Sequence, residues 1–250
     1  MTFLNKVVIV TGGANGIGRI YANHLAAHGA SLVIADIDAA GAEATAAALN
    51  QAVRREVAAP VHTDVTDQAA TEKMAATAME RFGRIDVLLN NAGTYPHVDF
   101  EDIDYPAWRK VIQVNLDSVF LCSKAVLPAM KAQGAGKIIN VATNLVWVGL
   151  PGMVHYTAAK AGIIGFTRSL AREVGGHGIT VNAIAPGAVI PDAGLSEVAR
   201  DRVQQIVEHQ SVKRPQRPED LVGTVLFLAS EQSDFISGQI FTVDGGLTNH

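Results

Sequence analysis

A single cysteine, Cys122, stands in the whole chain of 250 residues. One thiol can form neither an internal disulfide nor a thiolate metal site, so a disulfide-stapled fold is excluded and a reducing compartment fits. Charge is sparse as well: 18% of residues are charged, the net is −4, and the 20 basic residues are scattered. No basic stripe marks a nucleic-acid surface, and no polybasic segment marks a membrane surface. Long apolar runs are also missing. The opening MTFLNKVVIVTGG has too short an apolar run for a signal-peptide core and reads better as a buried strand. No stretch approaches the length of a bilayer span, and the histidines show no metal-ligand spacing. These absences predict a cytoplasmic protein without a metal and without nucleic-acid or membrane partners.

What the chain does have is core-forming material, 48% apolar residues, together with 23 glycines. Disorder is excluded by that balance. Strand-like runs lie at 6–10, 31–36, 59–65, 85–93, 137–143, 179–186 and 239–246. Most are continuous apolar runs, as expected of strands covered on both faces. Helical patterns fill 17–28, 38–52, 67–82, 104–133, 152–175 and 218–229. The alternation predicts an α/β fold, a doubly wound parallel sheet with helices on both faces. No linker or composition break divides it, so 1–250 reads as one domain. The polar, proline-bearing span 188–217 interrupts the rhythm just past a strand's carboxyl end. Ligands bind open α/β sheets there, which favours a substrate lid over a surface insertion with no part in the chemistry.

After the first strand comes TGGANGIG, with Gly12, Gly16 and Gly18 at a strand-to-helix turn. Such glycines allow either a plain tight turn or close approach of a pyrophosphate to a helix N-terminus. Asp36 ends the second strand, where an acid can accept hydrogen bonds from adenosine ribose or simply cap the next helix. It would repel a 2′-phosphate, and no basic residue stands beside it: Ile37 follows, and Gly13 and Asn15 occupy the turn. The expected cofactor is therefore NAD rather than NADP. Asp64 and Val65, in HTDVTD, can flank adenine, while Asp64 can equally be a turn residue. Asn90, Asn91, Ala92 and Gly93 can knit strand ends together or contact ribose.

Tyr156 and Lys160 lie four residues apart in a helical pattern, so their side chains share a face. Free tyrosine titrates near pH ~10, and a nearby ammonium favours the phenolate, making the pair a plausible acid/base for an alcohol or carbonyl. A surface pair on an amphipathic helix is the bland reading. It fits poorly with the small and apolar residues of MVHYTAAKAGIIGFTRSLAREV. His155 adjoins the tyrosine but points elsewhere, in a packing or surface role.

TGGANGIG, the NNAG at 90–93, Asn115 in QVNLDSVF, Tyr156-x-x-x-Lys160 and AIAPGAV at 183–189 occur in a specific order. In that ordered set the chain resembles the short-chain dehydrogenase/reductase family over essentially its whole length. The resemblance implies a single Rossmann-type domain with a seven-stranded parallel sheet. It implies hydride transfer between a nicotinamide and an alcohol or carbonyl carbon, with Tyr156 as acid/base. Lys160 would bind nicotinamide ribose and depress the tyrosine pKa, and Asn115 would help hold a relay water. The cofactor contacts it implies fall on Gly12, Asn15, Gly16, Ile17 and Gly18, on Asn91, Ala92 and Gly93, and on Pro186, Gly187 and the Val189 backbone. Two positions depart from the family pattern. Thr143 stands where serine is usual, keeping the hydroxyl but adding a methyl; Pro191 replaces a threonine that often contacts the cofactor.

The expected substrate pocket draws on Tyr95, Leu145, Trp147 and, from the lid, Leu195, with Trp147 alternatively a core residue under the lid. This lining carries no cation for an acidic handle, so a neutral secondary alcohol or ketone, cyclic or aromatic, is expected. The family resemblance implies a homotetramer, built on the helices at 104–133 and 152–175 and on the C-terminal FTVDGGLTNH. Two other readings are a 3-oxoacyl-carrier-protein-type reductase, which normally prefers NADPH, and a dinucleotide sensor without catalysis.

Overall fold

In β1 (Val7–Thr11), Val8 and Val10 pack on one side of the sheet and Val7 and Ile9 on the other, so the strand is buried on both faces. The same division runs through β2 (Ser31–Asp36), where Leu32 and Ile34 face one core and Val33 and Ala35 the other. This two-sided burial is the physical origin of the continuous apolar runs. The computed structural model describes residues 1–189 and 197–248, the side chains of 197–202 excepted.

Five further strands complete the sheet: β3 (Ala58–His62), β4 (Val87–Asn90), β5 (Gly136–Val141), β6 (Ile179–Pro186) and β7 (Ile240–Val243). All pairings are parallel, in the order β3-β2-β1-β4-β5-β6-β7. The core of one face packs Tyr21 and Leu25 of α1 (Gly16–Ala27), Leu49 of α2 (Ala39–Val53) and Leu221 and Val225 of α9 (Glu219–Ala229). The opposite core packs Met74 and Ala78 of α3 (Gln68–Phe82), Val126 and Met130 of α5 (Ser118–Gln133) and Val174 of α7 (Val154–Val174). Cys122 lies in that second core, its thiol pushed up to about 12 by burial and kept inert.

The expected helix at 104–133 is α4 (Tyr105–Ile112) and α5 joined through a π-helical segment, Gln113–Asp117, that contains Asn115. By length and hydropathy this stretch, Tyr105–Gln133, is the one described helix that could cross a bilayer, which the run lengths alone did not reveal. In the fold it packs against α3 and α7, burying Cys122, Val126 and Met130 while Phe120 stays exposed. Two expected strands are shorter than their apolar runs. β4 stops at Asn90 because the Asn91 amide turns back to Thr11 and Gly12, and β3 stops at His62 because Asp64 closes a turn with Thr66.

Strand order reverses between β1 and β4, whose chains continue to opposite sides of the sheet, opening a crevice at their carboxyl ends. The glycine turn after β1, Asn91–Gly93 after β4, Thr143 after β5 and Pro186–Val189 after β6 all reach that edge. The excursion after β6 contains α8 (Glu197–His209), and a parallel bridge between Val189 and Gln216 ties its two ends together.

Candidate active site

Side chains buried beneath the site hold its strands in register. Asn90 Nδ2 donates to Asn140 Oδ1 at 2.9 Å and to Ser123 Oγ at 3.3 Å, and Asn140 Nδ2 donates to Thr167 Oγ1 at 2.9 Å. The chain links β4, β5 and α5 to α7, the helix carrying Tyr156 and Lys160. Of the roles open to Asn90, knitting is the one its contacts fill. Asn91 does the same at the surface: its Nδ2 donates to the carbonyls of Thr11 and Gly12, and its N–H and that of Ala92 donate to Thr11 Oγ1.

The glycine turn has the local geometry for a phosphate group. Gly16 has φ +54°, a left-handed conformation that disfavours any side chain, and nothing lies within 4 Å of where a Cβ would stand. At Gly18 a Cβ would sit 2.0 Å from the Gly12 carbonyl oxygen, so only glycine lets the helix start against the turn. Asn15 is the N-cap of α1 but makes no side-chain cap; its amide donates instead to Asp38 Oδ2 at 3.1 Å. The first N–H groups of α1 thus have no side-chain acceptor, the arrangement in which a helix N-terminus receives an anion.

Asp36 is not the cap of the next helix; Asp38 is, accepting from the Gly41 N–H at 3.0 Å. Each Asp36 oxygen accepts one backbone N–H, from Asp38 and from Ala14, both at 3.0 Å. A carboxylate offers about four acceptor sites, which leaves capacity for ribose hydroxyls. Asp64 is in a turn: its Oδ1 accepts from the Thr66 N–H and hydroxyl at 2.9 and 2.7 Å, bonds that hold its pKa below the usual carboxylate range. The Val65 side chain is buried in the second core, which leaves its backbone to meet a ligand.

The reacting groups converge at the far end of the crevice. Lys160 is 4% exposed, its Nζ donates to the Val141 carbonyl at 2.7 Å and lies 5.7 Å from the Tyr156 ring centroid. Tyr95 meets the same ring edge-on at 6.5 Å. The Thr143 hydroxyl stands near enough to the Tyr156 phenol to pull its pKa down, and it accepts from the Leu145 N–H at 3.3 Å. Burial is the dominant force on both titrating groups. It pushes Tyr156 up to about 12 against the downward pull of the Thr143 hydroxyl, with Tyr95 adding a smaller rise. It pushes Lys160 down to about 8. The net depression of the tyrosine expected from its lysine is therefore not what this environment produces: a buried phenolate costs more here than the neighbouring groups return.

Asn115 is fully buried, its Nδ2 donating to the Thr94 and Val111 carbonyls at 2.8 and 3.0 Å while Oδ1 accepts from the Thr94 N–H at 3.3 Å. Its amide hydrogens are both spent, and its contacts latch the loop after β4 to the π segment. His155 is fully buried, in a packing position.

A cavity of about 450 Å³ opens over the reacting groups and reaches Ile17 of the glycine turn, while Gly12, Asn15, Gly16, Gly18, Asp36, Asp64, Val65 and Ala92 are not in its lining. Ile17, Asn91, Gly93, Pro186, Gly187 and Val189, all expected at the cofactor, line it together with Asn115, Thr143, Tyr156 and Lys160. Of the expected substrate residues, Tyr95 and Leu145 line it and Trp147 does not. Residues 145–148 form a short helix, α6 (Leu145–Val148), rather than an extended wall. At ~100° per residue, Leu145 and Val148 turn to the cavity while Val146 and Trp147 pack on Ala142, Ile163 and Ala183. Leu195 and Pro191 lie outside the described residues. Sequence reasoning missed Leu150, Met153, Ile206 and Leu247, which also line the cavity. Only tertiary contact brings these together, so no local pattern signals them.

Residues 12–248 match the family model described as enoyl-(acyl carrier protein) reductase. The chain is 41% identical over 249 residues to cis-4-hydroxycyclohexanecarboxylate dehydrogenase of Sinomonas cyclohexanicum, covering 98% of each chain. It is 38% identical over 256 residues to a 3-oxoacyl-[acyl-carrier-protein] reductase of Synechocystis sp., covering 97% of this chain and 96% of that one. Among solved structures, levodione reductase superposes with a TM-score of 0.90 at 33% identity, over 98% of each chain.

Proposed function

The chain belongs to the short-chain dehydrogenase/reductase family, and we propose that it is an NAD-dependent dehydrogenase interconverting neutral secondary alcohols and ketones, with cyclic or aromatic substrates preferred. The observation that carries the proposal is the convergence of Thr143, Tyr156 and Lys160 on one apolar cavity that reaches back to the glycine turn. Thr143 holds the substrate oxygen. Tyr156 takes the hydroxyl proton in oxidation and returns it in reduction. Lys160, anchored on Val141, brings positive charge to the phenol and to the ribose site, while Asn115 fixes the loop that carries Gly93 and Tyr95. The chemistry a nicotinamide bound there would supply is an acceptor for the hydride that leaves the carbinol carbon.

Asp36 supports NAD, because its carboxylate at the end of β2 keeps acceptor capacity for ribose hydroxyls and would repel a 2′-phosphate. The cavity supports a neutral substrate: Lys160 is the only charged side chain among its described lining residues. The Sinomonas relative is named for a ring bearing a carboxylate, and the described lining offers no further cation to such a group. We further propose that the excursion from 188 to 217, which brings Ile206 to the cavity, acts as the substrate lid. A cytoplasmic homotetramer completes the proposal, with Phe120 and Val154 presenting exposed apolar surface on α5 and α7.

The second reading, a reductase of carrier-protein-bound acyl groups, is favoured by the family model's description and by the Synechocystis relative. One experiment separates the two. NADH formation is followed with a panel of cyclic, aromatic and linear secondary alcohols, in parallel with NADP and with a 3-oxoacyl thioester plus NADPH. Turnover of ring alcohols with NAD is expected. Turnover with NADP alone would sink the Asp36 argument, and turnover confined to the thioester would establish the second reading. Nucleotide binding without turnover of any substrate would leave a sensor.

A further inference from the structure

The C-terminal segment was expected at a subunit contact, yet Leu247 lines the cavity that holds Thr143 and Tyr156. Its placement depends on one buried carboxylate. Asp244 is 3% exposed; its Oδ1 accepts from the N–H groups of Gly246 and Leu247 at 3.1 and 3.2 Å. Its Oδ2 accepts from the N–H and hydroxyl of Thr248 at 3.0 and 2.7 Å, and from Asn144 Nδ2 at 3.1 Å. Asn144 adjoins Thr143, is itself buried, and its N–H donates to the Pro186 carbonyl at 2.9 Å. The Asp244 carboxylate therefore folds the 244–248 turn and clamps it to the strand end that presents the Thr143 hydroxyl.

The same turn is tied to the excursion after β6. Gln210 Nε2 donates to the Asp244 carbonyl at 2.9 Å, and the Val212 N–H donates to the Gly245 carbonyl at 2.8 Å. Ile206, one turn earlier on α8, lines the cavity beside Leu247. A carboxylate suits this position because every group facing it is a donor; a carboxamide would set its own N–H groups against some of them.

We propose that Leu247 is a specificity-determining wall of the substrate cavity and that Asp244 is its positioning residue, coupling that wall to the Asn144–Thr143 segment. The inference rests on the alcohol/ketone reading of the cavity and deepens it: the substrate ring packs against the chain's own C-terminal turn. Removing one methylene-sized contact from an apolar pocket changes discrimination by roughly 10-fold or more. Leu247→Ala removes more than that from one side.

The test uses cyclohexanone and the bulkier 4-tert-butylcyclohexanone. Their affinities for the full chain with NAD present are measured by calorimetry, and KM and kcat for their reduction are measured with NADH. Leu247→Ala is expected to weaken cyclohexanone binding and raise its KM by about 10-fold. It should leave kcat and NAD affinity near wild type, and it should improve the relative acceptance of the larger ketone. Asp244→Asn is expected to reproduce the loss for cyclohexanone with Leu247 still present. If Asp244→Asn does not fold, Leu247→Ala decides alone. Wild-type behaviour of Leu247→Ala toward both ketones would overturn the proposal, and so would a wild type that binds neither ketone. A wild type that binds ketone without reducing it would sink the dehydrogenase reading, while the calorimetric comparison still judges the wall.

Discussion

Replacing Tyr156 by phenylalanine is expected to lower turnover about 10³-fold or more, within the range that a positioned general acid or base contributes, while NAD affinity stays close to wild type. The separation follows from the geometry. The substitution deletes only the phenolic oxygen, on which the Thr143 hydroxyl acts, and keeps the ring that Tyr95 packs against edge-on. Lys160 keeps its bond to the Val141 carbonyl, so the proposed ribose contact survives. Steady-state kinetics and fluorescence titration of NADH on the same protein read the two halves. A Tyr156→Phe protein that retains a tenth of wild-type activity would remove the tyrosine from the proton-transfer role.

The two titrating groups set the direction of the pH dependence. Tyr156 is raised to about 12 and Lys160 lowered to about 8, so at neutrality the phenol holds its proton and the lysine remains mostly charged. Ketone reduction uses the protonated phenol and is expected to be nearly flat from pH 6 to pH 8. Alcohol oxidation needs the phenol to shed a proton first, so its kcat is expected to climb as pH rises from 7 to 10. Loss of the Lys160 charge above about 8 opposes phenolate formation and broadens the climb. An oxidation rate independent of pH across that range would show that the proton leaves through another group.

The sheet, and the convergence of Thr143, Tyr156 and Lys160 on one cavity, were legible in the sequence because their signals are local. Two-sided burial writes continuous apolar runs, and the glycine turn, Asp36 and the Tyr156–Lys160 spacing each sit within a few residues of their element. The roles that sequence left open depended on tertiary partners. Asp36 and Asp38 both stand where a helix cap is possible, and only the bond to Gly41 assigns the cap to Asp38. Trp147 is apolar and two residues from Leu145, but α6 turns it onto the core cluster that includes Ala142, Ile163 and Ala183. The π segment at Asn115 has no sequence signature at all, and neither does the return of Leu247 to the cavity some hundred residues after Thr143. The opposite shift of the tyrosine and lysine pKa values was equally hidden, because it follows from how completely the surrounding chain removes both groups from water.

Thr143→Ala is expected to cost about 10²-fold in kcat, the scale of losing one positioned hydrogen bond to the oxygen that gains charge, whereas Thr143→Ser should stay near wild type. Thr143 is 6% exposed at the carboxyl end of β5, and its hydroxyl meets the Tyr156 phenol and accepts from the Leu145 N–H at 3.3 Å. Alanine therefore removes the substrate-oxygen partner and one neighbour of the phenol together. The Thr143 hydroxyl also lowers the Tyr156 pKa. Without it the phenol titrates higher still, so alcohol oxidation should suffer more than ketone reduction, and its alkaline climb should move to higher pH. A purely structural role would slow both directions alike and leave the profile in place. Kinetics of both variants in both directions, across pH, read the difference. If Thr143→Ala keeps wild-type rates, the third role belongs to another residue; if Thr143→Ser loses activity as alanine does, the methyl rather than the hydroxyl is what the site requires.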